Sequence, residues 1–182
     1  MKRATHKNLA LGKKRLTTPQ HIPLGQKCPA TILELHKIAL HCESRNTTAF
    51  RALRGKYSEL KRTRGVDFHI LKQAGFSTQM MMDLGIPTHE LIKGYLSMEN
   101  GLEKLVADIT TMHNKSDPHY KKLNFKVLVA QGVPLSKIRE AKAQIGLLVY
   151  SGFSRAEIID AGYEASRVDT VIKFYRERGE KI

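Results

Sequence analysis

Aromatic residues and cysteines are scarce in this sequence. It has no tryptophan, and aromatic residues account for only 7% of its 182 residues, so a core must be built mainly from Leu, Ile, Val, Met and Ala. Its two cysteines, Cys28 and Cys42, each lack a neighbouring cysteine at the spacing of a zinc ribbon or finger. We therefore expect reduced, structural thiols and no bound metal.

Long apolar runs are also missing. No stretch has the roughly eighteen consecutive apolar residues of a membrane-spanning helix. The N-terminus lacks the apolar segment of a secretory signal. We expect a cytoplasmic protein with no membrane partner, and an organellar targeting role for the basic N-terminus is the alternative.

Recognisable catalytic motifs are missing too. The eight histidines are scattered, without an HExxH motif, a nucleophile elbow or a phosphate-binding glycine loop. His113 and His119 come closest to a metal site, but their spacing falls in an expected turn and no second cluster of ligands accompanies them. The sequence therefore predicts no enzyme, no catalytic residue and no cofactor.

Positive charge is what the chain has in excess. Lys and Arg number 31 against 17 Asp and Glu, which gives a formal net charge of +14. Such a charge repels itself in a compact fold unless an anionic partner neutralises it. Nucleic acid is the favoured partner, and an acidic protein or an acidic membrane surface is the alternative.

The N-terminal segment carries positive charge only, because the first acidic residue is Glu34. Prolines and glycines interrupt this segment and favour an extended backbone that can follow a phosphate surface. We interpret residues 1–28 as a basic arm that contacts phosphates through Lys13, Lys14 and Arg15.

Two helices are expected after the arm. The first runs over residues 30–42, and Thr48 is expected to cap the second. The second helix has an apolar face at spacings of three, four and three, formed by Phe50, Leu53, Tyr57 and Leu60. Its cations would meet one nucleic-acid backbone, and they are Arg51, Arg54, Lys61, Arg62 and Arg64. A merely solvated helix face is the alternative.

An internal repeat is the most informative feature of the sequence. The tripeptide Gly-Phe-Ser at residues 75–77 recurs at 152–154, and a glycine follows ten residues later in both copies. Six glycines share this pattern, each with one apolar residue directly after it and another six positions after it: Gly65, Gly75, Gly85, Gly132, Gly152 and Gly162. Lys142 occupies the one slot where the ten-residue spacing calls for a glycine.

Each unit predicts a short helix that ends at a left-handed glycine. The apolar residue after the glycine locks the turn, and Ser, Pro, Asp or Glu opens the next helix of about seven residues. Helices this short are unstable alone, so neighbouring units must pack together. The sequence therefore predicts an all-α protein with two clusters of short helices, at about 65–96 and 133–178, beside the extended arm.

The segment 101–113 reads as an amphipathic helix between the two clusters, and the polar turn at residues 114–118 follows it. We take this turn as the boundary between an N-terminal helical lobe, residues 29–114, and a C-terminal helical lobe, residues 115–182.

Residues 154–175 resemble the helix-turn-helix of DNA-binding regulators. Gly162 corresponds to the turn glycine, with Ile158 and Ala161 before it and apolar Val168 and Val171 after it. A weaker copy spans residues 77–96, where Met81, Gly85 and Leu91 take the corresponding places.

The resemblance implies that a helix over residues 165–178 lies in the major groove of duplex DNA. It implies base contacts from four side chains of that helix, Arg167, Thr170, Lys173 and Arg176. Arg155 and Ser166 would contact phosphate instead. The alternative is that these side chains form the solvated face of a packing helix.

The sequence thus predicts a nucleic-acid-binding regulator of transcription, with DNA favoured over RNA. The alternative is a structural RNA-binding or scaffold subunit of a large ribonucleoprotein, whose repeats bind protein. A homodimer, or an adaptor that meets an acidic protein, is a further possibility. A regulator should expose a free recognition helix, whereas an assembly subunit should bury much of both repeat faces.

Overall fold

The computed structural model describes residues 32–40 and 48–179. The predicted arm, with Lys13, Lys14 and Arg15, and both cysteines lie outside the described residues. Within those residues all regular structure is helical, as the sequence predicted. The α-helices are α1 (Ile32–Leu40), α2 (Thr48–Leu53), α3 (Tyr57–Arg64), α4 (Phe68–Gln73), α5 (Thr78–Leu84), α6 (Thr88–Leu96), α7 (Gly101–Asn114), α8 (Phe125–Ala130), α9 (Leu135–Glu140), α10 (Ile145–Tyr150), α11 (Arg155–Asp160) and α12 (Ala165–Glu177). A 3-10 helix, Pro118–Lys121, lies between α7 and α8.

The ten-residue unit is the period of the fold. Helices α4, α5 and α6 begin ten residues apart, and so do the five helices from α8 to α12. The second cluster starts one helix earlier than predicted, at α8. No glycine precedes this helix; Asn124 caps it instead by accepting a hydrogen bond from the Val127 N–H at 3.1 Å. The repeat unit that contains α8 therefore lacks the glycine signal by which the other units are recognised in the sequence.

The turns between the helices have the predicted left-handed geometry. At Gly162, where φ is 94°, the glycine N–H donates to the Ile159 carbonyl at 2.7 Å and the Tyr163 N–H donates to the Ile158 carbonyl at 3.3 Å. This pair of bonds satisfies carbonyl groups at the end of α11. An apolar contact accompanies such a turn and stabilises it further. The same pair recurs at Gly75, Gly85, Gly132, Lys142 and Gly152.

The prediction of one long helix after Thr48 is wrong. The chain forms two helices there, α2 and α3, because Gly55 adopts a φ of 70° and interrupts the helical backbone. Phe50, Leu53, Tyr57 and Leu60 are nevertheless all buried. The five basic residues therefore do not share the face of a single helix.

Helix α7 lies against both clusters. It contacts α6 on one side and the 3-10 helix and α9 on the other. Leu105, Ile109 and Met112 are fully buried in one apolar cluster that includes residues of both predicted lobes. The Nε2 atom of His119 also lies 3.1 Å from the Asp83 carboxylate across the boundary. The division at residues 114 and 115 stays a prediction.

Gly94 allows a close helix crossing in the first cluster. A Cβ atom at this position would lie 2.3 Å from Cγ of Phe68, so α6 can approach α4 only because the side chain is a hydrogen atom. Helix α6 also packs on α7. The weaker helix-turn-helix copy thus has its second helix packed between two neighbours. Among the helices that the structure describes, none is both long and apolar enough to span a bilayer.

Candidate nucleic-acid interface

Helices α11 and α12 surround the Gly162 turn and form the candidate interface. Ile158 and Val168 are fully buried on either side of the turn, so their packing fixes the two helices against each other. The rest of α12 is largely open, since Val168 is its only buried residue. The predicted contact residues of α12 all lie on its exposed side: Ser166, Arg167, Thr170, Lys173 and Arg176.

Arg155 connects α11 to α12. Its Nε donates to Oδ1 of Asp169 at 2.5 Å and its Nη2 donates to Oδ2 at 2.9 Å. The pairing raises the pKa of Arg155 and lowers the pKa of Asp169, because the hydrogen bonds between them, and then their opposite charges, stabilise both ionised forms. Arg155 was predicted to meet phosphate; in the structure its guanidinium pairs with a protein carboxylate, and the phosphate contact stays a prediction.

The two hydroxyl groups of the predicted set already donate within the protein. Ser166 Oγ donates to Oε1 of Glu164 at 2.5 Å. Thr170 Oγ1 donates to the Ser166 carbonyl at 2.8 Å. Each hydroxyl has one proton, so both oxygens are left as acceptors and Thr170 keeps its methyl group for an apolar contact.

The lysine and arginines near the end of α12 project into solvent. Lys173 lies 3.8 Å from the carboxylate of Glu177, and both side chains are mostly exposed, so this pair adds little stability. Arg178 stacks over the Phe174 ring at 4.9 Å. Arg176 is exposed on the same helix. The last two turns of α12 thus combine cations with an exposed aromatic ring.

A cleft of about 630 Å³ opens beside α12. Of the ten described residues that line it, three are cationic and none is acidic. The cations are Arg139 of α9, Lys142 of the turn after α9, and Arg167 of α12. The other lining residues are Ala143, Gln144, Ile145, Gly146, Tyr163, Thr170 and Val171. We call this the basic cleft.

Two hydrogen bonds fix the walls of the basic cleft. Arg139 Nη1 donates to the Gly162 carbonyl at 2.8 Å, which ties α9 to the turn before α12. The Tyr163 hydroxyl donates to the Ala143 carbonyl at 2.7 Å. Burial raises the pKa of Tyr163 to about 12, against the opposing effect of the Arg139 charge, so the hydroxyl stays protonated and keeps donating.

The basic residues of α2 and α3 form a separate group. Arg51, Arg62 and Arg64 are exposed. Lys61 Nζ instead donates to Oε2 of Glu90 at 2.8 Å, and the Tyr57 hydroxyl donates to the same oxygen at 2.8 Å. The two bonds hold the pKa of Glu90 below its usual range. Lys61 is thus partly neutralised, whereas the three arginines keep their side chains in solvent.

Sequence reasoning missed two groups of residues. Arg139 and Lys142 reach the basic cleft from α9 and the turn that follows it. The only signal in the sequence was that Lys142 stands where the repeat predicts a glycine. A cluster of aromatic rings also forms at the surface: the His113 ring lies 5.0 Å from the ring of Tyr120 and 4.5 Å from that of Tyr150. Tyr150 lies thirty residues after Tyr120 in the sequence, so no local pattern indicates the cluster.

Comparison with known proteins gives no functional assignment for this site. No protein family matches the chain, and neither a curated protein nor a solved structure matches it. Function must therefore be inferred from the residues of α12 and the basic cleft.

Proposed function

We propose that this protein binds nucleic acid, with duplex DNA favoured over RNA, through the helices from α9 to α12. The basic cleft is the observation that supports this most. Arg139 and Lys142 reach it from the end of α9 and the turn that follows, Arg167 reaches it from α12, and none of the described residues that line it is acidic. All three residues are exposed, so their charges are open to the phosphates of a polyanion.

Helix α12 is the element proposed to read bases. Arg167, Lys173 and Arg176 lie on its exposed side, and arginine and lysine can bond O6 and N7 of guanine in the major groove. The pair between Arg155 and Asp169 links α12 to α11 through two hydrogen bonds, and a linked recognition helix favours precise docking. With the helix-turn-helix resemblance, these features support a DNA-binding regulator of transcription.

A structural RNA-binding subunit is the second candidate, and the surface aromatic cluster favours it. Tyr150 is 53% exposed and its ring stands at 76° to that of His113, so part of its ring surface is available to stack on an unpaired base. Lys121 follows Tyr120 directly and is exposed, which adds a cation for the backbone of the same strand. Unpaired bases are typical of RNA loops.

Selection with the full chain would separate the two candidates. A random pool of duplex DNA and a pool of structured RNA would be incubated with the protein at physiological salt, and the retained molecules sequenced. We expect enrichment of one duplex sequence, with an affinity that falls as salt rises because counterions are released from phosphates. Enrichment of RNA alone would favour the second candidate, and retention of neither pool would contradict both.

A further inference from the structure

The turn at Lys142 departs from every other turn of its kind in the described residues. Six turns of the repeat have a glycine at positive φ, and Lys142 adopts a φ of 64° in the same place. A side chain crowds the backbone in this conformation, so residues other than glycine, asparagine and aspartate are rare there. A lysine at this position therefore lowers the stability of the fold relative to glycine, and packing alone does not require it.

Hydrogen bonds fix the backbone of the turn that contains Lys142. Its own N–H donates to the Arg139 carbonyl at 2.8 Å, and the next N–H, of Ala143, donates to the Ile138 carbonyl at 3.2 Å. The Ala143 carbonyl accepts in turn from the Tyr163 hydroxyl at 2.7 Å. The turn is thus fixed to α9 on one side and to the segment before α12 on the other.

The groups around Lys142 match an anion with several oxygens. Arg139 uses one N–H on the Gly162 carbonyl, and a guanidinium has five N–H donors, so others can serve a ligand. Arg167 adds a second guanidinium from α12, and planar guanidinium groups suit phosphate oxygens. Val171, which is only partly buried, lines the same cleft and offers an apolar surface to the rest of such a ligand.

We propose that the basic cleft is a binding pocket for the phosphate group of a single nucleotide unit, held by Lys142, Arg139 and Arg167. The volume of about 630 Å³ is in the range of small-molecule pockets and would take one nucleotide rather than a stretch of duplex. The source of the phosphate is either a free mononucleotide or the phosphorylated end of a strand. This rests on the proposed function, which takes the same cleft as its main support, and it names the phosphate-bearing unit that the cleft holds.

The substitution Lys142→Gly is the critical test, because it removes the cation and relieves the positive φ together. It should leave the fold at least as stable as the parent, so that a loss of binding cannot be ascribed to unfolding. Ser116→Gly is the backbone control, since Ser116 also has a positive φ, of 50°, and does not line the cleft. Lys93→Ala is the charge control, since Lys93 is exposed on α6.

Calorimetric titration of the full chain would use a 5′-mononucleotide, its nucleoside without phosphate, inorganic phosphate, and an oligonucleotide with and without a 5′-phosphate. We expect the mononucleotide to bind and the nucleoside not to bind. Lys142→Gly should weaken the mononucleotide at least about tenfold, the effect of losing one charged hydrogen bond. Lys142→Arg should retain most of the affinity, and both controls should bind as the parent does.

The oligonucleotides identify the source of the phosphate. If the 5′-phosphate strengthens oligonucleotide binding in the parent and not in Lys142→Gly, the pocket takes strand ends; if only the mononucleotide depends on Lys142, it takes free nucleotides. Equal mononucleotide binding by the parent and Lys142→Gly, or none by the parent, would overturn the inference. Duplex DNA titrated in parallel tests the proposed function separately. If the parent binds duplex DNA but not the mononucleotide, only the pocket is contradicted. If it binds the mononucleotide but not duplex DNA, only the proposed function is contradicted.

Discussion

The guanidinium of Arg155 and the carboxylate of Asp169 form two parallel hydrogen bonds across the turn between α11 and α12. The two residues are fourteen apart in sequence and belong to different helices. The two helices are therefore joined at the surface by this pair as well as in the core by Ile158 and Val168.

Asp169→Asn should loosen α12 and free Arg155 for an anionic ligand. The pKa of Asp169 is lowered in the folded state, so the contribution of the pair is present above the unfolded pKa, about 4, and is lost as the pH falls through the lower folded value. The protection factors of the α12 amides, which correct for the pH dependence of intrinsic exchange, should fall at neutral pH in the variant and at acid pH in the parent. Equal protection of α12 in both proteins at neutral pH would show that the pair does not hold the helix.

Gly162→Val should destabilise the protein by about 1 to 3 kcal/mol, because a β-branched residue resists positive φ. A Cβ atom there would also lie 2.8 Å from Nη1 of Arg139. Gly132→Val is the matched control: Gly132 has a φ of 87°, and nothing lies within 4 Å of its Cβ position. Urea unfolding should show a loss in both variants and a larger one at Gly162. A parent-like stability of Gly162→Val would contradict the role given to this turn.

Gly94→Ala should also destabilise, although alanine is the better helix former. The added methyl group would overlap the Phe68 ring, and overpacking of this kind costs about 1 to 3 kcal/mol. Gly146→Ala is the control on α10, where the nearest atom is the terminal hydroxyl of Tyr175, which can move. Thermal unfolding should place Gly94→Ala below both the parent and Gly146→Ala. A rise in stability at Gly94 would mean that α4 and α6 do not cross this closely.

Base reading and phosphate holding should respond to different substitutions. Loss of a side chain bonded to a base edge removes about 1 to 3 kcal/mol of discrimination, so Arg167→Ala and Lys173→Ala should reduce preference for the selected duplex more than affinity for random duplex. The triple change Lys13→Ala, Lys14→Ala, Arg15→Ala should weaken both alike, because phosphates look similar in every sequence. Competition binding with both duplexes measures the two effects.

The outcome for α12 has two informative alternatives. If Arg167→Ala and Lys173→Ala weaken the two duplexes equally, the helix holds phosphates and reads no bases. If they weaken neither duplex, the helix faces a protein partner, and the assembly-subunit alternative becomes the better one.

The repeat could be predicted from sequence because its signals are local. A glycine, an apolar residue and a cap lie within a few positions, and the backbone needs of the turn decide all three. The same reasoning missed α8, whose turn lacks a glycine, and it joined α2 to α3 because the apolar spacing continues past Gly55. Periodicity is thus a good guide to which residues are buried and a poorer guide to where a helix ends.

The basic cleft could not be predicted in the same way. Arg139 and Lys142 are only three residues apart, but Arg167 lies on α12, and only the packing of α9, α10 and α12 brings it to the same cleft. The ring cluster of His113, Tyr120 and Tyr150 likewise depends on long-range packing. The one local clue was Lys142, where a residue unsuited to its turn indicates a role beyond the turn.

The ten-residue unit has a consequence for how the chain can change length. In the units that Ser77 and Ser154 open, the start signal and the glycine that ends the helix lie within the same ten positions, so the local information for one helix is self-contained. Removing or duplicating a whole unit leaves each remaining cap with its own helix, whereas inserting a single residue inside a helix rotates every apolar position after it by about 100°. Insertions and deletions should therefore be tolerated in steps of one unit, at the ends of the clusters first, where each helix has fewer neighbours to lose.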